Sequence, residues 1–264
     1  MISVCMIARN EAEIIGAAIA STAGLADEII VVDTGSTDDT VDVAINAGAH
    51  VQPHMAVIEG GDYRNLGGSR NQAIREAMGD WIVILDADET IADPTGVREF
   101  LENTTAQAVY IRETYMQGDK PGLAFSQMRC WRRGTYEYLY RCHEVPTPLN
   151  GWGEIAHTEF VWEHRPPPRP DKSHFYLMLL LMDAEENPGD ARVLYYLARQ
   201  WMYCAAYHKA IELSKKFLEV APPAFTDREW AYTNMAEYYV AIGDTENALE
   251  NRWRAVQTRP TQRS

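Results

Sequence analysis

Residues 1–165 alternate short apolar runs with stretches of helical spacing. Residues 2–7 are β-rich and end at Ala8-Arg9-Asn10-Glu11; residues 28–32 form a second apolar run that ends at Asp33-Thr34-Gly35-Ser36-Thr37. Between them Ile14, Ile15, Ala18 and Ile19 fall on one face of a helix over 12–23. A helix over 41–47 closed by Gly48, a short strand at 50–52 and a helix over 69–77 follow. Residues 81–85 are apolar without alternation, the pattern of a strand buried on both faces, and they stop at Asp86-Ala87-Asp88-Glu89. Strands alternating with helices predict an α/β domain with a parallel sheet and right-handed crossovers. After Asp93-Pro94 the pattern predicts a helix over 95–103 and strands at 107–114, 125–131, 136–141 and 159–164, a mixed-sheet half joined to the parallel half.

Arg165-Pro166-Pro167-Pro168-Arg169-Pro170 predicts a stiff linker at 166–170, dividing the chain into domains at 1–165 and 171–264. The second part is helical throughout and carries a period. Leu197-Ala198-x-x-Trp201 answers Met235-Ala236-x-x-Tyr239, Ala210-Ile211 answers Ala248-Leu249, and Pro188, Pro222 and Pro260 punctuate the units. Helix pairs with small residues at close-packing positions and a closing proline look like tetratricopeptide (TPR) repeats, a surface suited to protein contacts.

Composition narrows the class. The 264 residues are 46% hydrophobic, enough for a full core, and the four cysteines form no Cys-x-x-Cys pair, which excludes a zinc or disulfide framework. The start of the chain lacks a secretory pattern, and the longest apolar run, 175–182, is too short to span a bilayer. A soluble, cytoplasmic protein is the expectation. The net charge of −14 sits almost wholly in residues 1–165, which hold 25 acidic against 12 basic side chains. Such a field disfavours duplex nucleic acid and suits a domain that binds a divalent cation.

The chemistry is concentrated at the strand ends. In an open α/β sheet, ligands bind beyond the carboxyl ends of strands, which puts Asp86, Asp88 and Glu89 at the rim of a site. Carboxylates crowded there repel one another unless a cation lies among them, and Mn²⁺ or Mg²⁺ would share them with a substrate diphosphate. Asp33, followed by small polar residues, lets a planar base approach the backbone. Arg70 could clamp a phosphate in bidentate fashion.

Taken together, the ends at 8–11, 33–40 and 86–89, with Asp62-Tyr63 and Ser69-Arg70-Asn71 between them, resemble the family 2 glycosyltransferases of the GT-A fold, a Rossmann-like, mostly parallel mixed sheet. The resemblance covers roughly residues 1–165, and the tail resembles that of members carrying TPR repeats. It implies a nucleotide-sugar site made by Ala8, Arg9, Glu11, Asp33, Asp62, Arg70, Asp86, Ala87 and His143, with Arg64 as a helper. It implies a metal (Mn²⁺ or Mg²⁺) held directly by Asp88 and by a late histidine, His164, with His157 as the alternative. In Arg141-Cys142-His143-Glu144-Val145 it implies that Glu144 is the base that takes the acceptor hydroxyl proton. The reaction implied is inverting transfer from a nucleoside diphosphate sugar, UDP first, to an acceptor that could be a protein, a glycan, a lipid-linked sugar or a modified nucleobase. Two other classes remain: a nucleotidyltransferase making the sugar nucleotide, disfavoured because no glycine cluster follows the first strand, and a non-catalytic repeat scaffold. The Trp131, Tyr136, Tyr138 and Tyr140 cluster reads either as an acceptor platform or as an ordinary half-buried hairpin.

Overall fold

The computed structural model describes residues 1–53, 65–168, 173–223, 225 and 227–258. The chain divides into two compact units, Met1–Arg169 and Pro170–Ser264. The first contains β1 (Ile2–Ala8), α1 (Ile15–Ala20), β2 (Glu28–Asp33), α2 (Thr40–Asn46), β3 (His50–Pro53), α3 (Leu66–Glu76), β4 (Trp81–Ile84), β5 (Glu89–Ile91), α4 (Pro94–Asn103), β6 (Ala108–Gln117), β7 (Lys120–Arg132), β8 (Tyr136–Leu139), β9 (Val145–Pro148) and β10 (Ile155–His164). Eight strands form one sheet in the order β3-β2-β1-β4-β7-β6-β10-β5. The first four run parallel, β7 and β5 run against their neighbours, and β6 and β10 pair in parallel.

This order puts the site on one edge. The chain steps outward from β1 to β2 and β3, then returns to β4 on the other flank, so the sheet's switch point lies between β1 and β4. The carboxyl ends of β1, β2, β4, β6 and β10 all face that edge. The apolar runs are covered on both faces, by a cluster around Val4, Met6, Ile15, Val83 and Trp162 and another around Cys5, Val32, Ile82, Ile84 and Trp131. Two helices of this unit, α3 and α4, begin where backbone donors find side-chain acceptors. Asn65 accepts from Gly68 N at 2.7 Å before α3, and Asp93, followed by Pro94, accepts from Gly96 N at 2.9 Å before α4.

Two short strands were not legible in the pattern. β5 is three residues long, and β9 pairs with β8 in a separate two-stranded sheet. The aromatic cluster is core: Trp131, Tyr136 and Tyr138 are buried, with the Trp131 ring 6.0 Å from Tyr136 and 5.7 Å from Tyr138, so they offer no acceptor platform.

The second unit has α5 (Ser173–Glu186), α6 (Ala191–Tyr203), α7 (Tyr207–Val220), α8 (Asp227–Ala241) and α9 (Thr245–Thr258), each packed on the next. Ala198, Ala210, Ala236 and Ala248 are all buried where neighbouring helices approach. Among the described residues, no helix is long and apolar enough to cross a membrane.

Candidate functional site

The turn after β4 is fixed from several sides before any ligand is considered. Leu85 N donates to Cys5 O, Trp162 Nε1 donates to Ile84 O, and Arg165 N donates to Asp88 O. Within the turn, Glu89 N donates to Asp86 O at 3.0 Å, while the Glu89 carboxylate accepts from Asp86 N at 2.9 Å. Glu89, expected at the rim, is therefore turned inward and fully buried; the three residues of β5 carry it under the sheet edge beside β10.

The fold brings Arg70, Asp86, Asp88, Glu144 and His164 into one network. Arg70 on α3 reaches Asp86 Oδ1 with Nη2 (2.7 Å) and Glu144 Oε1 with Nε (2.8 Å). Its Nη1 is buried and has no hydrogen-bond partner among the described residues. His164, at the end of β10, places Nε2 3.2 Å from Asp88 Oδ2 and Nδ1 3.0 Å from Glu113 Oε1. Arg129 joins the two halves. It donates to Asp86 Oδ2 (3.2 Å), Glu89 Oε1 (2.5 Å) and Glu113 Oε2 (2.7 Å).

Glu113 and Arg129 are not among the site residues named from the sequence: Glu113 follows Arg112 directly and Arg129 lies three residues before Arg132-Arg133, so neither carried a distinctive local signal. Arg129 sits at a register shift between β6 and β7: Val109 pairs with Cys130 and Tyr110 with Met128, leaving Arg129 as the extra residue. A bulge of this kind re-aims a side chain that strict alternation would send elsewhere.

Glu144 is delivered by a loop with unusual backbone. Tyr140 and His143 have φ of 71° and 50°, in the left-handed region that costs a non-glycine residue energy. The loop is held against α3 by Leu66 N donating to Arg141 O at 2.8 Å. Asn71 binds both backbone groups of Tyr138, accepting from its N (2.7 Å) and donating to its O (2.8 Å). Gly67 permits the approach, because a Cβ there would collide with the Tyr140 carbonyl oxygen.

The electrostatics follow from five carboxylates facing two guanidiniums and one imidazole. Burial would raise the Asp86 pKa, but Arg70 and Arg129 outweigh it and hold the carboxyl well below its usual range. Burial pushes Glu89 up to about 7 against the pull of Arg129, with Asp86 and Glu113 adding to the rise. For Glu113, hydrogen bonds and charge from His164 and Arg129 overcome burial and lower the pKa. Burial disfavours charged His164, yet its bonds to Asp88 and Glu113 push its pKa up to about 10.

A group that binds its proton more tightly when folded contributes stability below its unfolded pKa and loses it as pH rises through the folded one. In chelator, the His164 contribution is therefore present below pH 6.5 and fades as pH rises towards about 10. Melting temperatures in EDTA across that window should fall for the native chain by more than for His164→Ala. Equal slopes would refute the assignment.

The other residues named from the sequence lie nearby or in the scaffold. The Asp33 carboxylate accepts from Gly35 N (3.2 Å) and Ser36 N (3.1 Å), shaping the turn after β2. Asn10 ties the ends of β1 and β2 together, its Oδ1 accepting from Thr37 N at 2.7 Å. Glu11 N donates to Thr40 Oγ1. Ala8 and Ala87 are buried in the core cluster. Arg9 is half-buried and His143 exposed. His157 stacks on Tyr110 (4.8 Å) and lies away from His164 along β10. Asp62 and Arg64 lie outside the described residues.

Among the described residues one triad is spaced for a metal ion, and a two-residue pair of donors lies beside it. Asp88 and His164 converge one carboxylate oxygen and one imidazole nitrogen, both largely buried, a donor set that suits Mn²⁺. Glu89, Glu113 and His164 also place ligand atoms within 4.8 Å of one another. There, however, Arg129 Nη2 already bonds both carboxylates, so a guanidinium holds the place of the cation.

The family model described as Glycosyl transferase family 2 matches residues 3–151. A TPR repeat-containing protein of Synechococcus elongatus is 38% identical over 130 residues, which cover 48% of this chain and 31% of that protein. An uncharacterized glycosyltransferase of Rickettsia felis is 39% identical over 93 residues, 34% of this chain and 30% of that protein. The chain thus spans about a third of the length of these curated relatives. Among solved structures, TarS 1-349 of S. aureus in complex with UDP-GlcNAc superposes on 99% of this chain and 93% of its own, with a TM-score of 0.58 at 14% identity, a likeness of fold.

Proposed function

The chain belongs to glycosyl transferase family 2, and on that premise we propose that it moves a sugar from a nucleoside diphosphate, UDP first, to an acceptor hydroxyl with inversion at the anomeric carbon. Its fold is α/β GT-A, followed by an all-α region. The observation that carries the reading is the meeting of Asp88 with His164 beside Asp86, within one arginine of Glu144. The family match alone does not explain why those groups, 78 residues apart in sequence at the extremes of Asp86 and His164, converge on the switch-point edge.

In this reading Asp88 and His164 hold a divalent ion, which when bound neutralises charge on the departing diphosphate. Asp86, kept ionised by Arg70 and Arg129, accepts hydrogen bonds from the donor ribose. Asp33 and the backbone of the turn it shapes border the base. Glu144 takes the proton of the acceptor hydroxyl as the new bond to C1 forms and the bond from C1 to the diphosphate oxygen breaks. Arg70 keeps the Glu144 carboxylate oriented, and the α3 loop contacts hold it in place. The helical tail reads as TPR-like pairs, α6 with α7 and α8 with α9, offering a surface for protein contact. A UDP-sugar is the donor to test first, as TarS, of the same fold, binds UDP-GlcNAc.

The test is a thermal-shift panel of nucleotide sugars with Mn²⁺. UDP-sugars should raise the melting temperature with Mn²⁺ and lose that gain in EDTA. Asp88→Ala should abolish the metal-dependent part. A shift that persists undiminished in EDTA or in Asp88→Ala would discard the metal-assisted reading.

A further inference from the structure

Glu113 is a buried carboxylate whose two oxygens do different jobs. Oε2 accepts from Arg129, while Oε1 meets His164 Nδ1. We propose that Glu113 is a positioning residue: anchored by Arg129, it fixes the ring of His164 so that Nε2 faces Asp88 and the divalent ion the two would share. The inference deepens the donor-site reading above and rests on it.

Geometry comes first. In the parallel pairing of β6 with β10, Glu113 is opposite Trp162 and Tyr115 opposite His164, so Glu113 and His164 project from the same face two positions apart along the pairing. The Tyr115 ring, 4.3 Å from the imidazole, packs on it. An imidazole still has to choose which nitrogen it presents, and a fixed acceptor at Nδ1 makes that choice. Glu113 supplies the acceptor, leaving Nε2 on the Asp88 side. Ligating histidines in general are oriented and made more basic by such a partner.

Charge accounting supports a role beyond the fold. Burying a carboxylate is costly unless it is paired, and Arg129 already has Asp86 and Glu89 as partners. A third acid on the same guanidinium adds repulsion among the carboxylates, so neutralising Arg129 does not account for Glu113. Its bond to His164 does. The rival arrangement makes Glu113 a direct ligand with Glu89 and His164. An ion there would draw on the carboxylates that Arg129 Nη2 already bonds, two cations competing for the same pair of acids.

The two arrangements differ in measurable ways. Mn²⁺ affinity would be measured on the full chain with UDP present, by electron paramagnetic resonance of free Mn²⁺, at a temperature where circular dichroism shows each variant folded. Glu113→Ala should weaken Mn²⁺ by about 10–100-fold, with Glu113→Gln, which keeps an acceptor oxygen, recovering part of the loss. Asp88→Asn should remove binding, and Glu89→Gln should weaken it less than Glu113→Ala. A purely structural Glu113 would lower the melting temperature and leave the affinity of the folded protein intact, which overturns the proposal. Equal losses in Glu89→Gln and Glu113→Ala, with Asp88→Asn binding normally, would overturn it in favour of the direct-ligand cage. If Glu113→Ala does not fold, Glu113→Gln decides: weaker binding supports the clamp and native affinity overturns it. Mn²⁺ lost in Asp88→Asn but retained in both Glu113 variants sinks this inference alone. Wild-type chain that binds no Mn²⁺ sinks the donor-site reading beneath it.

Discussion

Glu144→Gln is expected to lower sugar transfer by about 10²–10⁴-fold, the usual contribution of a positioned general base. Nucleotide binding should survive the change. Glutamine keeps the volume of glutamate and still offers an oxygen to Arg70 Nε, so the bond that holds Arg70 beside Asp86 persists. What disappears is the capacity to accept a proton. The split is therefore diagnostic: kcat collapses, while the Mn²⁺-dependent thermal shift with a UDP-sugar stays near that of the native chain. If binding and turnover fell together, Glu144 would be an anchor for Arg70, and the base would have to be sought elsewhere. The mutation is informative because the side chain is only 11% exposed and lies in a loop whose left-handed residues and backbone contacts to α3 fix its position.

Arg129→Met should destabilise the fold by about 3–5 kcal/mol, the range seen when one partner of a buried ion pair is removed. Methionine replaces the length of the side chain and none of its charge. Glu89 and Glu113 would then be buried without their shared cation, and Asp86 would retain Arg70 alone. Chemical denaturation should report the loss, and its pH dependence should identify the cause. Abandoned carboxylates are relieved by protonation, so the deficit should shrink as pH falls and grow as it rises. A second substitution, Glu89→Gln, should return part of the stability in the Arg129→Met background, because it removes one of the uncompensated charges. A deficit independent of pH would point to lost packing instead.

How this site was legible depends on what kind of information each residue carries. Apolar runs and the polar tags that end them lie close together in sequence. Five unalternated residues followed by Asp86-Ala87-Asp88 therefore announced both a two-face-buried strand and its rim, and β1, β2 and β4 were placed to within a residue or two. Arg70 was legible at the start of its helix, while Glu144 and His164 were named only by the resemblance to the family; the fold gathers all three at one edge. Asn10 and Asp33 likewise stand at the strand ends where the pattern put them.

Other features required the tertiary structure, because periodicity says which residues share a face and never what covers that face. Trp131, Tyr136 and Tyr138 carry the same alternation whether they meet a sugar or a helix; α3 and the second core cluster cover them. Arg129 was hidden by a one-residue bulge, which breaks the parity that a sequence reading relies on. Glu113 carried no local mark of its role, because β10, which brings His164 alongside it, comes from more than forty residues later. Glu89 read as a third rim carboxylate because nothing local distinguishes it from Asp86 and Asp88; the guanidinium of Arg129 and the Asp86 N–H together make its burial tolerable. The sequence by itself determined where strands end and which charges stand there. Long-range pairing decided which of those charges face solvent and which face each other, because desolvation and ion pairing act only once distant strands are in register.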